Sequence, residues 1–181
     1  MARFAPDATY LCYRDLTPEA LTAAGITALI LDIDNTLAPY EQPEPDEAIR
    51  AWLAGLAAAG IRAGFLSNNH GERVTLFNET LGLPVLFNAK KPLRGKARRL
   101  MDMLGATPAT TAFLGDQIFT DIWTAHRAGA RGFLVPPIRD KKDFLTRFKR
   151  QLEKGVLRRY YKKHPDAPDV RRGSPLAEEQ S

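Results

Sequence analysis

Apolar and polar positions along this chain follow two alternating rhythms. Short aliphatic or β-branched runs, ALILDI (28–33), IRAGFLS (61–67), VLF (85–87), TAFLG (111–115) and RGFLV (131–135), read as buried strands. Between them the apolar residues recur at helical spacing. Ile49, Trp52, Leu53 and Leu56 predict a helix that stops at Gly60. Leu93, Ala97, Leu100, Met101 and Leu104 predict one that stops at Gly105, and Ile118, Ile122 and Ala125 one that stops at Gly129. A further helix is expected over about 71–81. Upstream, Thr17-Pro18 reads as an N-cap followed by a proline in the first turn, with Gly25 closing that helix. Strands and helices in alternation build βαβ units, so residues 1–140 are expected to form one three-layer α/β domain with a central parallel sheet, ended by Pro136-Pro137.

The rhythm changes after residue 140. Phe144, Phe148, Leu152 and Val156 recur every four positions in a basic setting, predicting an amphipathic helix over 141–163, interrupted at Gly155 and packed on the domain or extending from it. Residues 164–181, with Pro165, Pro168, Pro175 and a polar end, read as a disordered tail. Charge follows the same boundary. Residues 138–172 hold 13 Lys and Arg against 5 Asp and Glu in a chain of net charge +5, so the remaining body is mildly acidic. The basic helix could serve an anionic membrane, with Lys141, Lys142, Lys149, Arg150, Arg158, Arg159, Lys162 and Lys163 around an apolar face. Nucleic acid is the competing partner, because Arg158 to Lys163 interleaves cations with two tyrosines. Docking of Phe144 and Phe148 on the sheet is the plainest reading of the first two turns. No apolar run is long enough to span a bilayer, and Pro6 and Asp7 interrupt any leader-like start, so a cytoplasmic location is expected, with contact at the inner face of the membrane. The single cysteine, Cys12, has no partner for an internal disulfide and reads as a buried or bystander thiol.

Candidate chemistry lies where strands open into loops, the ligand-binding end of parallel α/β sheets. Asp32 and Asp34 stand at the end of the 28–33 run, and Asp116 and Asp121 follow the 111–115 run. Four acids at one rim repel one another unless they gain protons or a cation. An all-oxygen ligand set favours a hard ion, and one shared with phosphate favours magnesium. A screened carboxylate can attack phosphorus while a second acid handles protons, roles that suit Asp32 and Asp34. Ser67, at the end of its strand, offers a hydroxyl to the phosphoryl oxygens, and Asn68 opens a donor-rich helix start. Lys91, ahead of Pro92, offers an ammonium, with Lys90 as the competing choice.

DIDNT at 32–36, Ser67 after a strand, Lys91-Pro92 and GDQIFTD at 115–121 resemble, in order, the four motifs of the haloacid dehalogenase (HAD) superfamily. The resemblance implies a Rossmann-like domain and a phosphatase working through an aspartyl-phosphate. It implies Asp32 as nucleophile, Asp34 as acid/base, Thr36 and Ser67 as phosphate ligands and Lys91 steadying charge. Magnesium would be held by Asp32, the Asp34 carbonyl and Asp116, with Asp121 behind them or as an additional acidic contact.

The gaps from Thr36 to the next helix and from Ser67 to Lys91 are too short for an inserted cap domain, so an open site that accepts a bulky substrate is expected. PDATYLCYRDL, LDIDNTLAPY, NAKKPL, GDQIFTDI and the VPPI exit resemble more specifically the subfamily IIIA phosphatases, among them the phosphatidylglycerophosphate phosphatases. That likeness implies a lipid phosphate as substrate. A phosphoprotein phosphatase, or a nucleic-acid or ribosome-associated protein with a regulatory phosphatase domain, are the alternatives. His70, His126, Trp52, Trp123 and His164 are read as loop, packing or tail residues.

Overall fold

In the computed structural model, residues 4–139 and 144–177 are described, with the side chains of 144–150 left aside. Six strands, β1 (Ala8–Thr9), β2 (Ala28–Leu31), β3 (Arg62–Leu66), β4 (Val85–Leu86), β5 (Thr111–Gly115) and β6 (Arg131–Leu134), form one parallel sheet in the order β1-β6-β5-β2-β3-β4. Every strand pairing among the described residues is parallel. Central β2 is flanked by β3 and β5 and is buried along its whole length, which is why ALIL shows no polar alternation. Period-two geometry divides its side chains between two cores. Leu29 and Leu31 join Phe65, Leu114 and Phe133 beneath α1 (Pro18–Ala23), α2 (Glu47–Ala58) and α3 (Gly71–Asn78). Ala28 and Ile30 join Phe113 on the opposite face, under α4 (Gly95–Met103) and α5 (Trp123–Ala128).

Local signals account for most boundaries. The Thr17 hydroxyl accepts from Ala20 N at 3.2 Å with Pro18 in the first turn of α1, and Asp46 accepts from Ile49 N at 2.8 Å at the start of α2. The predicted strand 28–33 stops at Leu31, which leaves Asp32 and Ile33 in the turn. Gaps 37–46 and 68–90 hold only a loop in the first case, and α3 and β4 in the second, so no cap stands over the rim.

The C-terminal region differs in detail from what the sequence pattern implies. Helix α6 (Phe144–Lys163) runs through Gly155 without interruption; one glycine costs about 1 kcal/mol in a helix, less than tertiary packing can supply. Within 151–163 the buried positions are Glu153, Leu157 and Tyr160, whereas Leu152 of the expected apolar stripe is exposed and Val156 half-buried, with Lys154, Arg158, Arg159, Lys162 and Lys163 exposed around them. Only the charged face of 151–163 remains for an anionic surface, with Leu152 its one exposed large apolar side chain. Residues 164–177 are folded onto the body, not disordered. Tyr161 Oη donates to Pro168 O and accepts from Val170 N, both at 2.9 Å, Thr9 Oγ1 donates to Pro168 O at 2.7 Å, and Val170 and Leu176 are buried. Two apolar anchors and a hydroxyl bracket outweigh a proline-rich composition. The expected docking of Phe144 and Phe148, and the roles given to Lys149 and Arg150, concern side chains left aside, and Lys141 and Lys142 lie outside the described residues.

Candidate active site

The turn after β2 sets the geometry. Asn35 takes a left-handed φ of 64°, its N–H donates to Ala38 O at 2.8 Å, and Thr36 N donates to Ile33 O at 3.2 Å. Asparagine tolerates this conformation better than other non-glycine residues. The reversal lets Asp32 and Asp34 line one cavity of about 240 Å³ at the rim of β2, β3 and β5, together with Ser67, Asn68, Lys91 and Asp121. Thr36, also read as a phosphate ligand, is buried, and its hydroxyl donates to Asp32 Oδ2 at 3.3 Å.

Lys91 and not Lys90 enters the site. Its ammonium lies 2.5 Å from Asp32 Oδ1 and 2.6 Å from Asp121 Oδ1, in a nearly dry setting, while Lys90 is exposed. Burial alone would push the Lys91 ammonium to deprotonate, but Asp121 and Asp32 outweigh it and hold the charge in place. Asp32 responds the other way. Burial dominates and raises its pKa to about 7, with Lys91 opposing and Asp121 reinforcing the rise. The main chain of Lys91 is fixed as well, because its N–H donates to Asn68 Oδ1 at 2.7 Å. The Asn68 amide oxygen therefore serves the lysine, beside the phosphate role expected of that residue. Ser67, buried at the end of β3, accepts from Asn69 N at 3.0 Å.

Asp116 and Asp121 come from the end of β5. Asp121 folds back so that its Oδ2 accepts from Gln117 N at 3.1 Å. Gly115 makes this possible: a Cβ there would meet Asp121 Cβ and Cγ at 2.3 Å. Asp34 sits apart. Asn69 Nδ2 donates to its Oδ2 at 3.1 Å and the Arg73 guanidinium approaches its Oδ1 at 3.4 Å. Arg73 in turn donates to Pro43 O at 3.1 Å and stacks over Phe77. Asn69 and Arg73 join the expected residues, and Gly115, already within the GDQIFTD motif, gains its role from the close approach of Asp121. The second asparagine of FLSNN, two residues after Ser67, was the available signal for Asn69. Arg73 carries no local signal that sets it apart from ordinary charge on a helix surface.

Carboxylate oxygens of Asp32, Asp116 and Asp121 lie within 4.8 Å of one another. This donor set contains no imidazole or thiolate and fits a hard divalent cation. The Asp34 carboxylate is not part of the cluster, its carbonyl and not its side chain being the expected ligand, and Asp121, expected behind the ligands or as an additional acidic contact, lies within it.

The profile of the HAD-hydrolase-like family matches residues 88–147. A Bacillus subtilis (strain 168) protein named probable phosphatase YqeG is 32% identical over 154 residues, covering 85% of this chain and 90% of the relative. The chain belongs to the haloacid dehalogenase superfamily and is a phosphatase. A second relative of this HAD phosphatase, the chloroplastic phosphatidylglycerophosphate phosphatase 1 of Chlamydomonas reinhardtii, is 32% identical over 143 residues, covering 74% of this chain and 51% of the relative. Among solved structures, an uncharacterized protein from Listeria monocytogenes serotype 4b superposes with TM-score 0.51 at 15% identity, over 65% of this chain and 85% of its own, a likeness of fold. The HAD phosphatase thus has the α/β architecture that its strand and helix rhythm implies, and an acidic triad suited to a divalent metal.

Proposed function

We propose that this HAD phosphatase hydrolyses a phosphomonoester on a bulky lipid headgroup, phosphatidylglycerophosphate being the substrate favoured, at the cytoplasmic face of a membrane. The observation that carries the chemistry is the Lys91 ammonium held between Asp32 and Asp121 at the floor of an uncapped cavity. In this reading an Asp32 oxygen attacks phosphorus, the bond to the leaving oxygen breaks, and Asp34 gives that oxygen its proton. Asp34 then takes a proton from water as the water attacks phosphorus, which frees inorganic phosphate and regenerates the Asp32 carboxylate. Lys91, Ser67, Thr36 and the donors at Asn68 would balance the phosphoryl charge. Asp32, the Asp34 carbonyl and Asp116 are the proposed magnesium ligands, with Asp121 behind them. Bound there, the ion would supply charge neutralisation between nucleophile and phosphoryl oxygens.

Three features support the lipid reading. The rim has no cap, the algal relative carries a phosphatidylglycerophosphate phosphatase name, and the exposed face of α6 is basic. Among the described residues no helix is long and apolar enough to cross a membrane, so contact would be peripheral and electrostatic, about 1 kcal/mol per basic residue near an anionic surface. The test is phosphate release from phosphatidylglycerophosphate in mixed micelles, beside a phosphopeptide and an aryl phosphate, with and without Mg2+. The lipid is expected to be preferred by kcat/KM. Preference for the phosphopeptide, or hydrolysis of the aryl phosphate alone, would overturn the substrate assignment and leave the phosphatase intact.

A further inference from the structure

Helix α6 carries one buried acid on its inner face. Glu153 is 6% exposed, and its Oε1 accepts from Ile118 N at 2.8 Å, a buried bond between residues 35 apart in sequence. Ile118 opens the π-type turn Ile118–Ile122, which lies directly after Asp116 and contains Asp121. The first N–H groups of any helical turn have no partner within it, and wide turns of this kind are rare and hold poorly by themselves. Here Asp121 Oδ2 takes the Gln117 N–H and Glu153 takes that of Ile118.

A second contact acts on the same turn. Leu157 from α6 and Val170 from the segment after it form one apolar cluster with Ile118 and Ile122, the residues that bound the turn. Asp116 and Glu153 also line the same cavity of about 520 Å³ between the β6 exit and the C-terminal segment. A buried carboxyl group is unfavourable unless its hydrogen bonds are satisfied. The retention of a carboxylate at this point is therefore a feature to explain.

We propose that Glu153 is a positioning residue for the acidic loop, acting through the Ile118 N–H to hold Asp116, with Asp121 behind it, where the metal is received. The C-terminal helix then belongs to the metal-binding machinery. This rests on reading Asp116 and its neighbours as the metal-side acids.

The experiment compares the full-length wild type with E153Q, E153D and L176A. Mg2+ is titrated while the melting temperature is followed without substrate, and kcat and KM are then measured on an aryl phosphate. Gln keeps an acceptor at the same reach and should bind Mg2+ within about threefold of wild type. Asp keeps the charge but withdraws the acceptor by one methylene. It should weaken Mg2+ binding about tenfold, as loss of a supporting partner behind a metal site commonly does, with kcat falling and KM nearly unchanged. L176A removes a buried side chain from the large core and should lower the melting temperature without moving the Mg2+ midpoint. An E153D midpoint equal to wild type, or an E153Q defect as large as that of E153D, would overturn the role of Glu153 alone. A wild type whose melting temperature ignores Mg2+ would overturn the metal reading itself, and this proposal with it.

Discussion

Asp32 and Asp7 are both carboxylates drawn partly or wholly out of water, and they answer in opposite directions. At the seam where the N-terminal segment meets β6, Asp7 Oδ2 accepts from Gly132 N at 2.7 Å and lies 2.8 Å from His126 Nε2. Burial works against its charge, but the His126 and Gly132 contacts outweigh burial and leave its pKa below the usual value. At the rim, Asp32 shares one ammonium with Asp121 and is pushed up to about 7. A carboxylate placed for structure is satisfied by its neighbours. One placed for chemistry is left in tension, which a cation or a phosphoryl group can relieve.

The largest expected effect tests the rim half of this contrast. D32N should abolish phosphate release, a loss of about a thousandfold or more in kcat, while the metal-free variant melts no lower than wild type because a strained charge has gone. A clear drop in melting temperature would show that Asp32 is structural, as Asp7 is, and would break the comparison. D34N comes next. It should lower kcat by about 10²- to 10⁴-fold, more with an alkyl phosphate than with an aryl phosphate whose leaving oxygen needs less help from an acid; equal losses on both would remove the proton-donor role. R73A should cost about tenfold in kcat through misplacement of Asp34, with KM little changed, in a steady-state comparison with wild type.

The smallest effect lies at the seam. D7N should leave kcat/KM unchanged and destabilise the fold by about 1 kcal/mol, a figure already discounted for the partial exposure of Asp7. That corresponds to a fall of about 2–4 °C in melting temperature for a chain of this size. Because the folded pKa of Asp7 lies below its ordinary value of 3.8, its contribution is complete at neutral pH and disappears as pH falls through the folded value. The melting difference between D7N and wild type should therefore hold from pH 7 down to about pH 4 and begin to narrow as pH falls below 3.8.

Legibility in the sequence followed sequence distance. Asp32, Asp34, Ser67, Lys91, Asp116 and Asp121 were readable because each stands at or near an element boundary that its own neighbours announce. The sheet was readable because β2, β3, β5 and β6 are apolar runs with glycine or proline at their ends. Arg73 and Glu153 were not, since each acts across a gap of about thirty residues or more and sits on a helix whose local pattern says only that a charge is present. Strand β1 escaped because two residues carry no period, and the ordering of 164–177 escaped because Val170 and Leu176 are isolated apolar positions within a polar stretch. His126 gains a bond to Asp7, which no local pattern could supply.

The bond from Ile118 N to Glu153 also has a meaning in time. A chain is made from its N-terminus, at about 5–20 residues per second. Asp32, Lys91, Asp116 and Asp121 are all synthesised before Glu153, so for roughly two to seven seconds after Ile118 is added its acceptor does not yet exist. If that bond holds the acidic loop, a growing chain cannot hydrolyse phosphate at full rate until Glu153 has been added, and activity arrives with α6.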